Sequence, residues 1–268
     1  MPIFDQEAVN PRIFVVGCSR SGTTLLQTLI ASHPEVTTFP ETNFFLPPDA
    51  GNIRAKIEGL LKILTKKDLK KTLLNPPFSY EKRVKTYLSI LDRITLQKRN
   101  KKIWVEKTPR HIFNVDVINQ YVPKALVVYI IRDGREVVSS IVKRAKEYGK
   151  QFKYQDIDYA IELWNKSTRI IEKRRGAENG YIIKYEDMVN KPKKTMLKLG
   201  NFVHLDYSSV EFNNREKVLK NARMKDESWK DGVDKNIKSR NNKFESYFSA
   251  QERAYICKNL TINSFYKF

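Results

Sequence analysis

Several short polar clusters in this sequence combine cations, hydroxyls and glycine as a site for a multiply charged anion would require. The first is Gly17-Cys18-Ser19-Arg20-Ser21-Gly22-Thr23-Thr24, between the apolar run Ile13 to Val16 and the helix-like stretch Thr23 to Ser32. Its glycines let the backbone turn tightly enough for successive N–H groups to converge on an anion at a helix N-terminus, where the helix dipole also favours negative charge. Arg20 adds a full charge on a planar fork, and Ser21, Thr23 and Thr24 add hydroxyl donors. The bland alternative is a strand, a turn and a helix with capping threonines.

A second cluster, Arg132-Asp133-Gly134-Arg135, follows the apolar run Ala125 to Ile131 and leads into a helix-like segment carrying Ser139 and Ser140. Arg132 at a strand end places another cation at the carboxyl edge of a sheet, where ligands of open α/β folds bind. Its local alternative is a salt bridge between Arg132 and Asp133, with Ser140 packed on a helix. Glu106-Lys107-Thr108-Pro109 and Tyr185-Glu186-Asp187-Met188 also follow apolar runs. Glu41, in Phe39-Pro40-Glu41-Thr42-Asn43, is a carboxylate that could serve as a general base or cap the next segment. His111 is a second candidate base. His33, His111 and His204 form no ligand-spaced pair, and no metal is expected.

The elements that must position these groups are legible as alternating types. Buried parallel strands are expected at Ile13 to Val16, Ile103 to Val105, Ala125 to Ile131 and Tyr181 to Ile183. Helices are expected at Thr23 to Ser32, Arg54 to Leu64, Tyr80 to Gln97, Val115 to Gln120, Arg135 to Tyr148, Asp158 to Lys173 and Lys193 to Val203. The alternation predicts an α/β fold: a single domain with a P-loop-like parallel sheet flanked by helices and joined by right-handed crossovers. The carboxyl edges of such a sheet face one crevice, so the clusters should meet there. Residues 12 to 205 would form the core of a domain spanning 1 to 268, and 206 to 268 a lid or C-terminal extension.

The chain has 268 residues, 41% of them hydrophobic and 30% charged, which excludes a disordered chain and suits one folded domain. Its net charge of +20 attracts anionic partners. The basic runs, such as Lys98 to Lys102 and Lys191 to Lys194, lack any zinc-finger or aromatic RNA-binding pattern, so nucleic acid is not expected as a partner. The two cysteines, Cys18 and Cys257, fit a reducing, cytoplasmic setting, and no apolar stretch is long enough for a membrane span.

The spacing Gly17-x4-Gly22 matches the nucleoside-triphosphatase P-loop, but the Lys that follows the second glycine there is Thr23 here. With its cation ahead of the glycine, the turn resembles the 5′-phosphosulfate loop of sulfotransferases, particularly the Arg-Ser-Gly-Thr-Thr form of tyrosylprotein and many bacterial members. The resemblance extends over about Ile13 to Val203. It implies 3′-phosphoadenosine 5′-phosphosulfate (PAPS) as sulfuryl donor and 3′-phosphoadenosine 5′-phosphate (PAP) as product, with no metal. On this likeness Arg20, Ser21, Gly22, Thr23 and Thr24 would hold the phosphosulfate, Arg132 and Ser140 the 3′-phosphate, and Tyr185 would also contact the nucleotide. Lys107 and Arg20 would stabilise charge during in-line transfer. Many cytosolic members carry a His two residues after this Lys, whereas Pro109 stands here, so that histidine mechanism does not carry over. Glu41, following His33-Pro34 as in tyrosylprotein and several bacterial members, is the preferred base, with His111 as the alternative. Ser228-Trp229 and Lys235 to Phe244 fall where relatives place a loop over the nucleotide. The acceptor would bear a hydroxyl on an acidic peptide, a glycan or a small alcohol, its pocket shaped by segments such as Phe44 to Leu74 and Asn213 to Asn242. A P-loop kinase-like phosphotransferase and a non-catalytic nucleotide- or polyanion-binding protein are the competing readings.

Overall fold

The structure, a computed structural model, describes residues 11–47, 79–149, 156–213, 215–223 and 243–268, together with Val9, Gly232, Val233 and Ile237. The predicted helix Arg54 to Leu64 and Ser228-Trp229 lie outside the described residues, as does most of Phe44 to Leu74, Asn213 to Asn242 and Lys235 to Phe244.

The strands β1 (Arg12–Gly17), β2 (Val36–Thr38), β3 (Ile103–Lys107), β4 (Ala125–Ile131) and β5 (Gly180–Lys184) form one five-stranded sheet in the order β2-β3-β1-β4-β5. Every pairing is parallel. The sequence pattern anticipates four of these strands. The edge strand β2 has 3 residues, too few for a run of β-branched residues to stand out. β3 extends past the predicted Val105 to take in Glu106 and Lys107.

The strands are apolar throughout because helices cover both faces. Alternate residues of β1 divide between the two covers. Ile13 and Val15 pack with α1 (Thr23–Ile30), α6 (Tyr185–Asn190) and α7 (Pro192–Val203) through Leu26, Met188 and Leu199. Phe14 points the other way, to α2 (Tyr80–Leu96) and α3 (Val115–Tyr121), meeting Tyr87, Leu91 and Ile118. On that same side Val16 and Tyr129 join Ile112, in a 3₁₀ helix (Pro109–Asn114), and Ile171 of α5 (Ile157–Lys173).

α4 (Gly134–Tyr148) packs on α5, and both receive the C-terminal part of the chain. Trp164 on α5 shares a cluster with Phe244 of α9 (Lys243–Tyr247), Ile256 of α10 (Ala250–Asn259) and Leu260. Phe268 meets the Trp164 ring edge-on at 5.4 Å. Residues 243–268 therefore pack on the helical layer as an extension of the core, with α8 (Glu216–Ala222) lying against α1.

The chain leaves β1 toward β2 on one side of the sheet and leaves β4 toward β5 on the other. Adjacent strands whose connections diverge open a crevice at their carboxyl ends. At the opposite edge, Asp92 of α2 accepts from Arg12 Nη2 at 2.7 Å and from Trp104 Nε1 at 2.7 Å, joining the first residue of β1 to β3. Arg12 is buried there, so removing Asp92 takes away a carboxylate that compensates a buried charge. Asp92→Ala is expected to lower unfolding free energy by about 3 kcal/mol in a urea titration. A loss below about 1 kcal/mol would show that this ion pair does not secure the sheet.

Candidate active site

β1 ends in the glycine turn. Arg20 and Gly22 take left-handed backbone conformations, φ 72° and 95°, and Gly22 caps α1. A β-carbon on Gly22 would lie 2.5 Å from a ring carbon of Tyr185, so this position needs glycine for both conformation and space. Ser21 and Thr23 are buried and Thr24 is half-exposed at the start of α1. The Ser21 hydroxyl is buried without a hydrogen-bond partner among the described residues, which suits a donor reserved for an anion.

The turn meets the β4 motif directly. Arg20 Nε donates to Ser140 Oγ at 3.2 Å across 120 residues of sequence. Arg132 lies at the same place, since burial and then the charge of Arg132 pull the Arg20 guanidinium below its ordinary value. Arg132 is buried, its guanidinium 4.3 Å from the Tyr185 ring centre and its Nη2 3.2 Å from Glu136 Oε2. The local Arg132–Asp133 pairing considered from sequence is replaced. Asp133 caps α4 by accepting from the Arg135 N–H at 2.9 Å and pairs with the Arg135 side chain at 2.6 Å. Arg132 instead meets Glu136 and the Tyr185 face, and its own carbonyl accepts from Trp164 Nε1 at 2.9 Å.

Lys107, at the carboxyl end of β3, is fully buried and pairs with Glu41, which is partly exposed. Arg20 also senses the Glu41 charge, so the β2, β1 and β4 edges contribute to one site. Buried Lys107 and Arg132, with Arg20 of intermediate exposure, thus bring positive charge together beside Glu41 and Glu136. Desolvated like charges repel strongly at low dielectric, and an anion between them relieves that repulsion.

Around Glu41 the structure reveals residues that sequence reasoning did not assign. Gln27 of α1 donates to Thr38 Oγ1 at 2.7 Å and to the Phe39 carbonyl at 2.8 Å. Glu106, which the sequence marks only as a member of the Glu106-Lys107-Thr108-Pro109 cluster, is fully buried. It accepts from the Thr108 hydroxyl at 2.6 Å, the Thr42 hydroxyl at 3.0 Å and the Thr42 N–H at 3.2 Å. His111, the alternative base, is fully buried with Nδ1 3.2 Å from Glu106 Oε2, while its Nε2 accepts from the Phe45 N–H at 3.2 Å. The ring is enclosed: Nε2 is committed to the backbone, and Nδ1 faces the Glu106 carboxylate at ion-pair distance without hydrogen-bond geometry. An acidic residue among buried hydroxyls is the one sequence signal that could have flagged Glu106, and it is indistinct without the fold.

A family model described as Sulfotransferase family matches residues 11–209. Protein-tyrosine sulfotransferase A of Caenorhabditis elegans is 25% identical over 218 residues, covering 79% of this chain and 54% of the relative. Protein-tyrosine sulfotransferase of Drosophila melanogaster is 23% identical over 216 residues, covering 78% of this chain and 41% of the relative. The chain spans about half the length of these curated relatives. The sulfotransferase domain of the Synechococcus PCC 7002 olefin synthase shares the fold with a TM-score of 0.61 at 18% identity, covering 92% of this chain and 93% of that one.

Burial pushes the Glu106 carboxyl up, but His111 and the Thr108 and Thr42 donors outweigh it and hold the group below its ordinary value of 4.5. A carboxyl held low stabilises the fold above that value and loses the contribution as pH falls through its folded-state value. Between pH 7 and pH 3, wild-type stability is expected to fall more steeply than that of Glu106→Gln in urea titrations. Equal slopes would show that Glu106 is not ionised in the folded protein.

Proposed function

The chain belongs to the sulfotransferase family, and from that premise we propose that it transfers a sulfuryl group from PAPS to a hydroxyl-bearing acceptor and releases PAP. The contact between Arg20 and Ser140 carries this reading, because it joins the glycine turn to the β4 motif in one crevice. Anion sites on both motifs suit a nucleotide with phosphate groups at two positions. Bound PAPS supplies the sulfuryl group on a phosphate leaving group.

In this reading the N–H groups of the turn, Ser21, Thr23, Thr24 and Arg20 hold the 5′-phosphosulfate. Arg132 and Ser140 hold the 3′-phosphate, with Tyr185 supporting Arg132 from beneath. Lys107 and Arg20 stabilise the charge that grows on the departing phosphate oxygen in an in-line displacement. Glu41 takes the acceptor proton, a role open to it because it is partly exposed at the crevice while His111 is enclosed.

The strand ends carry Lys107 and Arg132 where nucleotide phosphotransferases need a carboxylate for magnesium, and the turn carries Thr23 where they need Lys. For the acceptor we favour a hydroxyl on an acidic peptide, supported by the protein-tyrosine sulfotransferase relatives and by the net charge of +20. A glycan or a small alcohol is the other outcome of an acceptor screen.

A thermal-shift panel tests the donor. A ligand bound only by the folded state raises the melting temperature by mass action. PAP and PAPS are expected to raise it, with ATP and GTP far weaker; a response to magnesium-ATP alone would favour a phosphotransferase. Glu41→Gln is expected to retain the PAP shift while transfer of labelled sulfate falls about 10²- to 10⁴-fold. Equal turnover by Glu41→Gln and wild type would remove Glu41 from the chemistry.

A further inference from the structure

Beside the reacting pair lies a second carboxylate that the proposed chemistry does not use. Glu106 is fully buried, which is strongly unfavourable for a carboxylate unless it is compensated; Oε1 accepts three hydrogen bonds, and Oε2 has only the electrostatic contact with His111 Nδ1 at 3.2 Å. Its contacts form a ladder between the segment that carries Glu41 and the one that carries Lys107. Glu41 pairs with Lys107, and Thr42 donates to Glu106 through both its N–H and its hydroxyl. The Asn43 N–H reaches Thr108 Oγ1 at 3.3 Å, and the Phe45 N–H reaches His111 Nε2 at 3.2 Å. Tyr87 closes the ladder from α2, donating its hydroxyl to Thr42 Oγ1 at 3.0 Å.

The His111 tautomer follows from these partners. Because Nε2 accepts from a backbone N–H, the ring proton sits on Nδ1, facing Glu106 Oε2 at 3.2 Å. One carboxylate thus anchors Thr42 directly and, through His111, Phe45.

We infer that Glu106 and His111 are positioning residues, which lock Thr42 to Phe45 in register with β3 so that Glu41 faces Lys107. The inference rests on the reading of Glu41 and Lys107 as the reacting pair. Neither Glu106 nor His111 touches the substrates. Their effect is on the geometry of a general base, where a displacement of about 1 Å can cost about 10²-fold in rate.

An amide at position 106 cannot accept at both oxygens, so Glu106→Gln breaks either the Thr42 or the His111 rung. Thr42→Val removes one hydroxyl and leaves the carboxylate, and Thr42→Ser restores it. Glu106→Gln and Thr42→Val are expected to lower kcat for sulfuryl transfer about 10- to 100-fold while the Kd for PAP stays within about threefold. Thr42→Ser is expected to recover wild-type kcat. An unchanged kcat in Glu106→Gln and Thr42→Val, or a PAP Kd that rises in step with the loss of kcat, would overturn the inference.

Hydrogen exchange separates this result from a failure of the functional reading. If the wild type binds PAP yet transfers no sulfuryl group, the functional reading fails by itself. The ladder is then tested by the Thr42 and Phe45 amides: in Glu106→Gln the protection of at least one of them, on whichever rung breaks, is expected to fall at least about tenfold while β1 and β4 stay protected. Undiminished protection at both amides would overturn the positioning role.

Discussion

The hydrogen bond from Arg20 to Ser140 is the constraint on which the rest of the site depends. It forms because β1 and β4 are neighbours in parallel register up to the pair Gly17 and Ile130. A β-carbon at Gly17 would stand 2.5 Å from the Ile130 carbonyl oxygen, so glycine permits the two strand ends to approach this closely. The turn after one strand and the helix after the other are then held at the same edge. Partial burial next to Arg132 disfavours the Arg20 charge, which the nearby Glu41 carboxylate offsets in part. Hydrophobic burial on both sheet faces supplies the rigidity that maintains the arrangement.

Tyr185 links the parts further. Its ring fills the space beneath Gly22 and presents its face to Arg132, so one side chain from the end of β5 supports both the glycine turn and the β4 motif. A cation over an aromatic face is stabilised by the ring quadrupole, by about 0.5–2 kcal/mol depending on desolvation. Trp164 makes a comparable connection at longer range. It receives the packing of Leu260 and Phe268 and donates to the Arg132 carbonyl, so the C-terminal residues act on the strand end through the helical layer.

Much of this was legible in the sequence, for identifiable reasons. Strands buried on both faces show as unbroken apolar runs, which located β1, β3, β4 and β5, and a cation after such a run marks a carboxyl edge. That logic joins Arg20, Lys107 and Arg132 from the sequence alone. β2 escaped because 3 residues cannot display a period. Asp133 was legible as a neighbour of Arg132 but not as a helix cap, because its choice between the two arginines depends on the direction in which α4 leaves the strand. The roles of Gln27, Glu106 and His111 depend on contacts such as that of Glu106 with Thr42, across 64 residues, which no local pattern encodes.

The most direct test of the central claim, that one crevice grips two separate phosphate-bearing ends of one nucleotide, is a titration calorimetry cycle. Wild type and Arg132→Ala are each titrated with PAP, which has 3′- and 5′-phosphates, and with adenosine 5′-monophosphate, which has the 5′-phosphate alone. The account requires Arg132→Ala to weaken PAP on the order of 10- to 100-fold, as loss of a charge-assisted contact does, and to leave the monophosphate nearly unchanged. Equal weakening of both ligands, or of neither, would contradict it.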